Sequence, residues 1–133
     1  MHVRSALICA FFLLTSAAAS AAPNLGDLAP ADEYFGHLKM SILGITNAIR
    51  DAAVRLDRGE NPEIVVSRLT GTEDAIRDWE RHFPRDPWIP KSLATLRHLY
   101  ERVSTPRGLE AQQRVGGWLD RDFPLAPAAE AAK

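Results

Sequence analysis

The sequence predicts an all-α protein: a single small bundle of four main helices, arranged as antiparallel helical hairpins. Three observations predict it. Apolar residues recur at steps of three and four along most of the chain, which places them on one face of a helix. Capping residues stand directly before proline at Asn61-Pro62 and Thr105-Pro106, the pairing that opens a helix. No segment alternates apolar and polar residues with a period of two for long enough to make a strand.

The first 22 of the 133 residues carry a different signal. Arg4 is followed by the apolar run Ala6–Leu14 and then by the small-residue tail Ser16–Ala22. Positive start, apolar centre and small residues at the end are the order of a cleaved secretory leader. The run is too short for a bilayer span, which needs about 20 residues, so no stable membrane insertion is expected after cleavage. The expected compartment is the periplasm or the outside of the cell. The preference for arginine (thirteen) over lysine (three) matches the usage of bacteria with GC-rich genomes. Residues 23–30 are expected to be a linker, 31–125 the helical domain and 126–133 a loose tail.

Removing the leader leaves about 112 residues, enough for one modest core. It also removes Cys9, the only cysteine, so a disulfide scaffold and a thiolate site are both excluded. The remaining charge is close to neutral. That balance argues against a nucleic-acid partner, which calls for a strong basic excess.

Helix 1 is expected from about Pro30 to Leu56. Phe35, Leu38, Ile42, Ile45, Ile49, Ala52 and Leu56 form its apolar seam. Asp32 and Glu33 suit the positive end of the dipole and Arg55 and Arg58 the negative end, with Gly59 as the stop. A second helix opens at Asn61-Pro62 with Ile64, Val65, Val66 and Leu69. Thr70-Gly71-Thr72-Glu73 has the spacing of a capping box, so a break or kink is expected near Gly71. Ile76, Trp79 and Phe83 continue the stripe, Glu73 and Arg77 stand one turn apart, and Pro84 ends the segment. Pro84, Pro87 and Pro90 make a rigid turn. Helix 3 is expected over about Lys91–Val103 with Leu93, Leu96, Leu99, Tyr100 and Val103 inward. Helix 4 opens at Thr105-Pro106 with Leu109, Val115, Trp118 and Leu119 inward and ends at Phe123-Pro124, its interior weakened by Gly116-Gly117.

Two helix ends look alike: Trp79 to Phe83-Pro84, and Trp118 to Phe123-Pro124. Ala75, Trp79 and Pro87, followed by Leu96 and Tyr100, fall near a known spacing. Over roughly thirty residues this resembles tetratricopeptide-type helical hairpins. His82 stands where that pattern has an alanine, and no neighbouring stretch repeats it. The resemblance implies a helical-hairpin scaffold and nothing about activity.

Candidate functional residues fall into two groups. Trp88, with Arg85 and Lys91, sits in the proline-rich turn. It is either an exposed aromatic anchor for a partner or a lid folded over Phe83 and Leu93, and the second is the expectation for an apolar residue in a short rigid turn. Met40 and Gly44, on a small-residue stripe with Gly36, Ala48 and Ala52, together with Tyr100 and Trp118, are the candidates for a ligand pocket between helices. His37, His82 and His98 lack the spacing of a zinc helix, and no haem-attachment motif occurs, so no metal and no cofactor are expected. The serines lack a nucleophile motif, and most carboxylates have a basic residue one turn away. No catalytic constellation is recognised. The expected function is a non-catalytic module of the cell envelope that binds a protein or peptide, with a small-ligand carrier and a small exported enzyme as the alternatives.

Overall fold

A computed structural model describes residues 24–126; the expected leader and the expected tail beyond Ala126 lie outside the described residues. The domain is an all-helical bundle of α1 (Ile42–Asp57), α2 (Pro62–His82), α3 (Trp88–Glu101) and α4 (Pro106–Asp122), preceded by a short 3-10 turn at Leu25–Asp27. Connections of four or five residues make successive helices antiparallel. The tightest packing lies within the two hairpins, α1 on α2 and α3 on α4. Helices α2 and α3 also meet each other, so α1 and α4 flank a central α2–α3 pair without touching.

The cap-plus-proline signals hold. The Asn61 side chain accepts the Glu63 N–H at 2.9 Å, and Thr105 Oγ1 accepts the Gly108 N–H at 3.1 Å. Gly59, at φ +77°, follows α1 as the stop that a left-handed residue supplies. Both helices that end at Phe-Pro end in the same way. Phe83 and Phe123 each donate back to the carbonyl four residues earlier, and each accepts from the residue three further on, Asp86 and Ala126.

Three expectations about where helices begin or break are corrected. Helix 1 does not begin near Pro30. Residues 35–40 form a tight turn closed by reciprocal Phe35 and Met40 backbone bonds of 2.9 Å, with Gly36 and Lys39 at positive φ. Helix α1 starts only after Ser41, whose hydroxyl accepts the Gly44 N–H at 3.1 Å. Asp32 and Glu33 therefore lie outside the helix, and Leu38 is exposed rather than core. Second, α2 runs unbroken through Gly71. The stripe Val65, Leu69, Thr72, Ile76, Trp79 is continuous on one face, and its burial outweighs the capping preference of Thr70. Third, α3 begins three residues earlier than expected, with Pro90 inside its first turn, where a missing N–H costs nothing.

One core joins the four helices: Ile45 and Ile49 from α1, Val65, Leu69, Ile76 and Trp79 from α2, Ile89, Leu93, Leu96 and Tyr100 from α3, Ala111, Val115 and Trp118 from α4. The buried face of α4 follows Gly108, Ala111, Val115 and Trp118, so Leu109, expected inward, faces solvent. Phe35 joins this core from the turn, stacked on Trp79 at 5.9 Å and edge-on to Phe83 at 6.0 Å.

Candidate functional site

The residues with the strongest polar ties gather around α2. Glu73 is buried, and its carboxylate accepts from the Tyr100 hydroxyl at 2.7 Å and from Arg114 Nε and Nη2 at 3.0 and 2.8 Å. It does not pair with Arg77 along the helix. Arg77 instead lies over the Trp118 ring, 4.2 Å from its centre, and the Trp118 indole donates to Glu80 at 2.7 Å. Burial pushes the Tyr100 phenol well up, and the adjoining Glu73 carboxylate adds to the rise. Burial also pushes the Glu80 carboxyl up, against the pull of the indole bond, and the Asp122 carboxylate nearby adds to it.

On the other side of α2, Asp74 and Asp78 hold the 35–40 turn. Asp78 Oδ2 accepts the Gly36 N–H at 2.8 Å, and Asp74 Oδ2 accepts the His37 N–H at 2.9 Å. These backbone donors hold both carboxyls below their ordinary range.

A third carboxylate, Asp86, organises the α2–α3 junction. The proline after Phe83 stops α2, and the turn brings Asp86 under the end of α3, fully buried. Its Oδ2 accepts the Trp79 indole N–H at 3.1 Å and the Ala29 N–H at 2.9 Å, and its Oδ1 accepts the Trp88 N–H at 3.0 Å. Asp86 thus fixes the first turn of α3 in the way of an N-cap residue. Ile89 then points into the core while the next-door Trp88 side chain points out.

Trp88 is 53% exposed. The expectation that it folds back over Phe83 and Leu93 is therefore corrected: Ile89 takes the inward position at the start of α3, and Trp88, about 100° away around the helix, faces solvent. Lys91 Nζ lies 4.2 Å from the centre of the Trp88 ring. Arg85, three residues before the first residue of α3, is exposed and makes no ion pair among the described residues. One cation lies over the open indole, at the positive end of α3, and a second, Arg85, precedes it in the chain.

The other candidates lie apart from this patch. Met40 is half-buried beside Phe35, and Gly44 sits in the first turn of α1, where an added Cβ would meet only Ser41 and Met40 at ordinary distance. Of the small-residue stripe, Gly36 is off the helix with its tight contact on the Ala75 backbone, and Ala52 is packed in the core. Tyr100 and Trp118 are core residues whose polar atoms are taken by Glu73 and Glu80. Two open depressions of about 170 and 270 Å³ lie on the outer α1–α2 surface, and none of these four residues lines either. Both fall below the few hundred Å³ that usually enclose a small ligand.

Each histidine among the described residues has an acidic neighbour, Asp74 for His37, Asp78 for His82 and Glu101 for His98. Among the described residues no three His, Cys, Asp or Glu side chains are grouped to hold a metal, and no helix is long and apolar enough to cross a membrane. Comparison with protein-family models, with curated proteins and with solved structures found no match.

Sequence reasoning missed the roles of Asp86, Asp74 and Asp78. For Asp86 the signal was present: Asp86-Pro87 has the same cap-then-proline form as Asn61-Pro62 and Thr105-Pro106. For Asp74 and Asp78 there was none, because their partners are backbone amides some forty residues away in sequence.

Proposed function

We propose that the chain is an exported, non-catalytic interaction module of the cell envelope, meeting a protein or peptide partner at the Trp88 end of α3. The observation that carries this reading is the exposure of Trp88 between Arg85 and Lys91, while Trp79 and Trp118 are buried and hydrogen-bonded. A large amphipathic ring held open by a rigid turn is the side chain that most often anchors an interface, because its burial on binding costs little side-chain entropy. The two cations favour a partner with acidic residues around an apolar or aromatic contact. The leader-like order of Arg4, Ala6–Leu14 and Ser16–Ala22 supports export.

The reading is tested in two steps. Expression of the full chain in a Gram-negative host, with fractionation and N-terminal sequencing, is expected to give a periplasmic or secreted product starting near Ala22. Cross-linking in the native envelope is expected to give a defined partner adduct with the wild-type chain and none with Trp88→Ala at the same folded level. Retention of the full leader in the cytoplasm, or an adduct unaffected by Trp88→Ala, contradicts it.

A further inference from the structure

We propose that residues 28–40 are a displaceable strap filling, in cis, a peptide-binding face of α2, and that the partner competing for this face is a peptide presenting an aromatic residue followed by glycine. This goes beyond the Trp88 reading and rests on different residues. Three carboxylates receive three main-chain amides of the strap: Ala29 on Asp86, Gly36 on Asp78 and His37 on Asp74. Asp74 and Asp78 stand one helical turn apart, so they meet successive amides of a chain laid across the helix. Binding through backbone donors is the mode by which proteins hold peptides with few demands on sequence, leaving specificity to a side-chain pocket.

That pocket takes one side chain. Phe35 is buried between Trp79 and Phe83, while Pro30, Ala31, Asp32, Glu33 and Tyr34 before it are exposed. Glycine must follow the aromatic residue. Gly36 has φ +68°, and a Cβ there would meet the Ala75 Cα at 2.8 Å. The four helices pack on one another without the strap, so its release leaves their mutual contacts in place. Beyond the Phe35 ring and the amide bonds, the strap is held by the exposed His37 ring on Asp74 at 2.7 Å and by the half-buried Ala29 and Met40, and an element with one fully buried side chain opens more readily than the helices beneath it.

The test uses the full chain carrying Phe35→Ala, and a synthetic, end-blocked peptide of residues 28–40 as the probe. The peptide is expected to bind this variant at least about tenfold more tightly than wild type, where the resident strap competes. Peptides bearing Phe35→Ala or Gly36→Ala are expected not to bind. Hydrogen exchange on the wild-type chain gives the second readout: the Gly36 and His37 amides are expected to exchange well ahead of the Ile76 and Trp79 amides. Should Phe35→Ala unfold the chain, Gly36→Ala, which loosens the strap and leaves Asp74, Asp78 and the aromatic pocket intact, takes its place in the binding assay. A folded variant that ignores the peptide overturns the proposal, as does equal binding of the Phe35→Ala peptide. So does exchange of Gly36 and His37 only with the core, or unfolding of both variants, since the strap is then an integral part of the fold.

Discussion

The Tyr100 hydroxyl donates to Glu73 Oε1 at 2.7 Å, joining α3 to α2 through the core, and Arg114 from α4 closes on the same carboxylate. One buried acid therefore ties three helices, and its removal differs from the removal of either donor. Tyr100→Phe leaves Glu73 held by Arg114 and is expected to cost about 1–2 kcal/mol. Glu73→Ala strands a buried hydroxyl and frees the guanidinium, at about 3 kcal/mol or more. Urea unfolding of the two variants checks the order, and equal losses would show that the acid does not organise the triad.

The glycines of this chain divide by what a Cβ would meet. A Cβ added at Gly117, inside α4, would meet nothing within 4 Å beyond its own helix, so Gly117→Ala is expected to raise stability by about 0.5–1 kcal/mol through helix propensity. Gly36→Ala combines a left-handed backbone with a clash against the Ala75 backbone and is expected to cost about 2 kcal/mol or more. Thermal unfolding separates the two signs directly.

Asp74 and Asp78 give the acid limb of stability. Their carboxyls are held below the ordinary value of 3.8 by the His37 and Gly36 amides, with the His37 ring, His82 and Arg81 adding positive charge. A carboxyl depressed in the folded state contributes stability that is fully present above its unfolded pKa and is lost as pH falls through the folded one. The wild-type chain is therefore expected to lose stability below about pH 4. The double variant Asp74→Asn, Asp78→Asn is expected to be less stable at pH 6 and flatter between pH 5 and 3. Denaturant titrations across that range measure the slope.

The three tryptophans are expected to separate by role. Trp79→Ala and Trp118→Ala empty buried volume and strand a carboxylate acceptor, at about 3–5 kcal/mol each. Trp88→Ala removes an exposed ring and its contact with Lys91, at about 1 kcal/mol or less. Differential scanning calorimetry of the three variants gives the comparison. A Trp88→Ala loss as large as that of Trp79→Ala would make Trp88 a structural residue.

The fold was legible wherever one local rule decided it. Asn61-Pro62, Thr105-Pro106, Gly59 and Phe83-Pro84 punctuate the chain through their own backbone chemistry, and the structure follows them. The failures come where two rules compete. Phe35 and Leu38 share the spacing of the α1 seam, yet Gly36 takes a left-handed turn against α2 and only Ser41 caps the helix. Thr70 to Glu73 has the spacing of a cap, but Glu73 is claimed by Tyr100 and Arg114 from other helices. Trp88 could not be placed from its neighbours in sequence, because Ile89 competes for the same inward position and Asp86 sets which of them wins. Pairings across helices depend on how the helices meet, and no local spacing encodes that.

The central claim, that Trp88 marks the surface a partner covers, is tested most directly by site-specific photo-cross-linking in the native envelope. A photoreactive amino acid is placed at position 88 and, as a control of equal exposure, at position 109. The account predicts a discrete adduct from position 88, weakened when Arg85 and Lys91 are both changed to glutamate, and none from position 109. No adduct at position 88, or the same adduct at both positions, would contradict it.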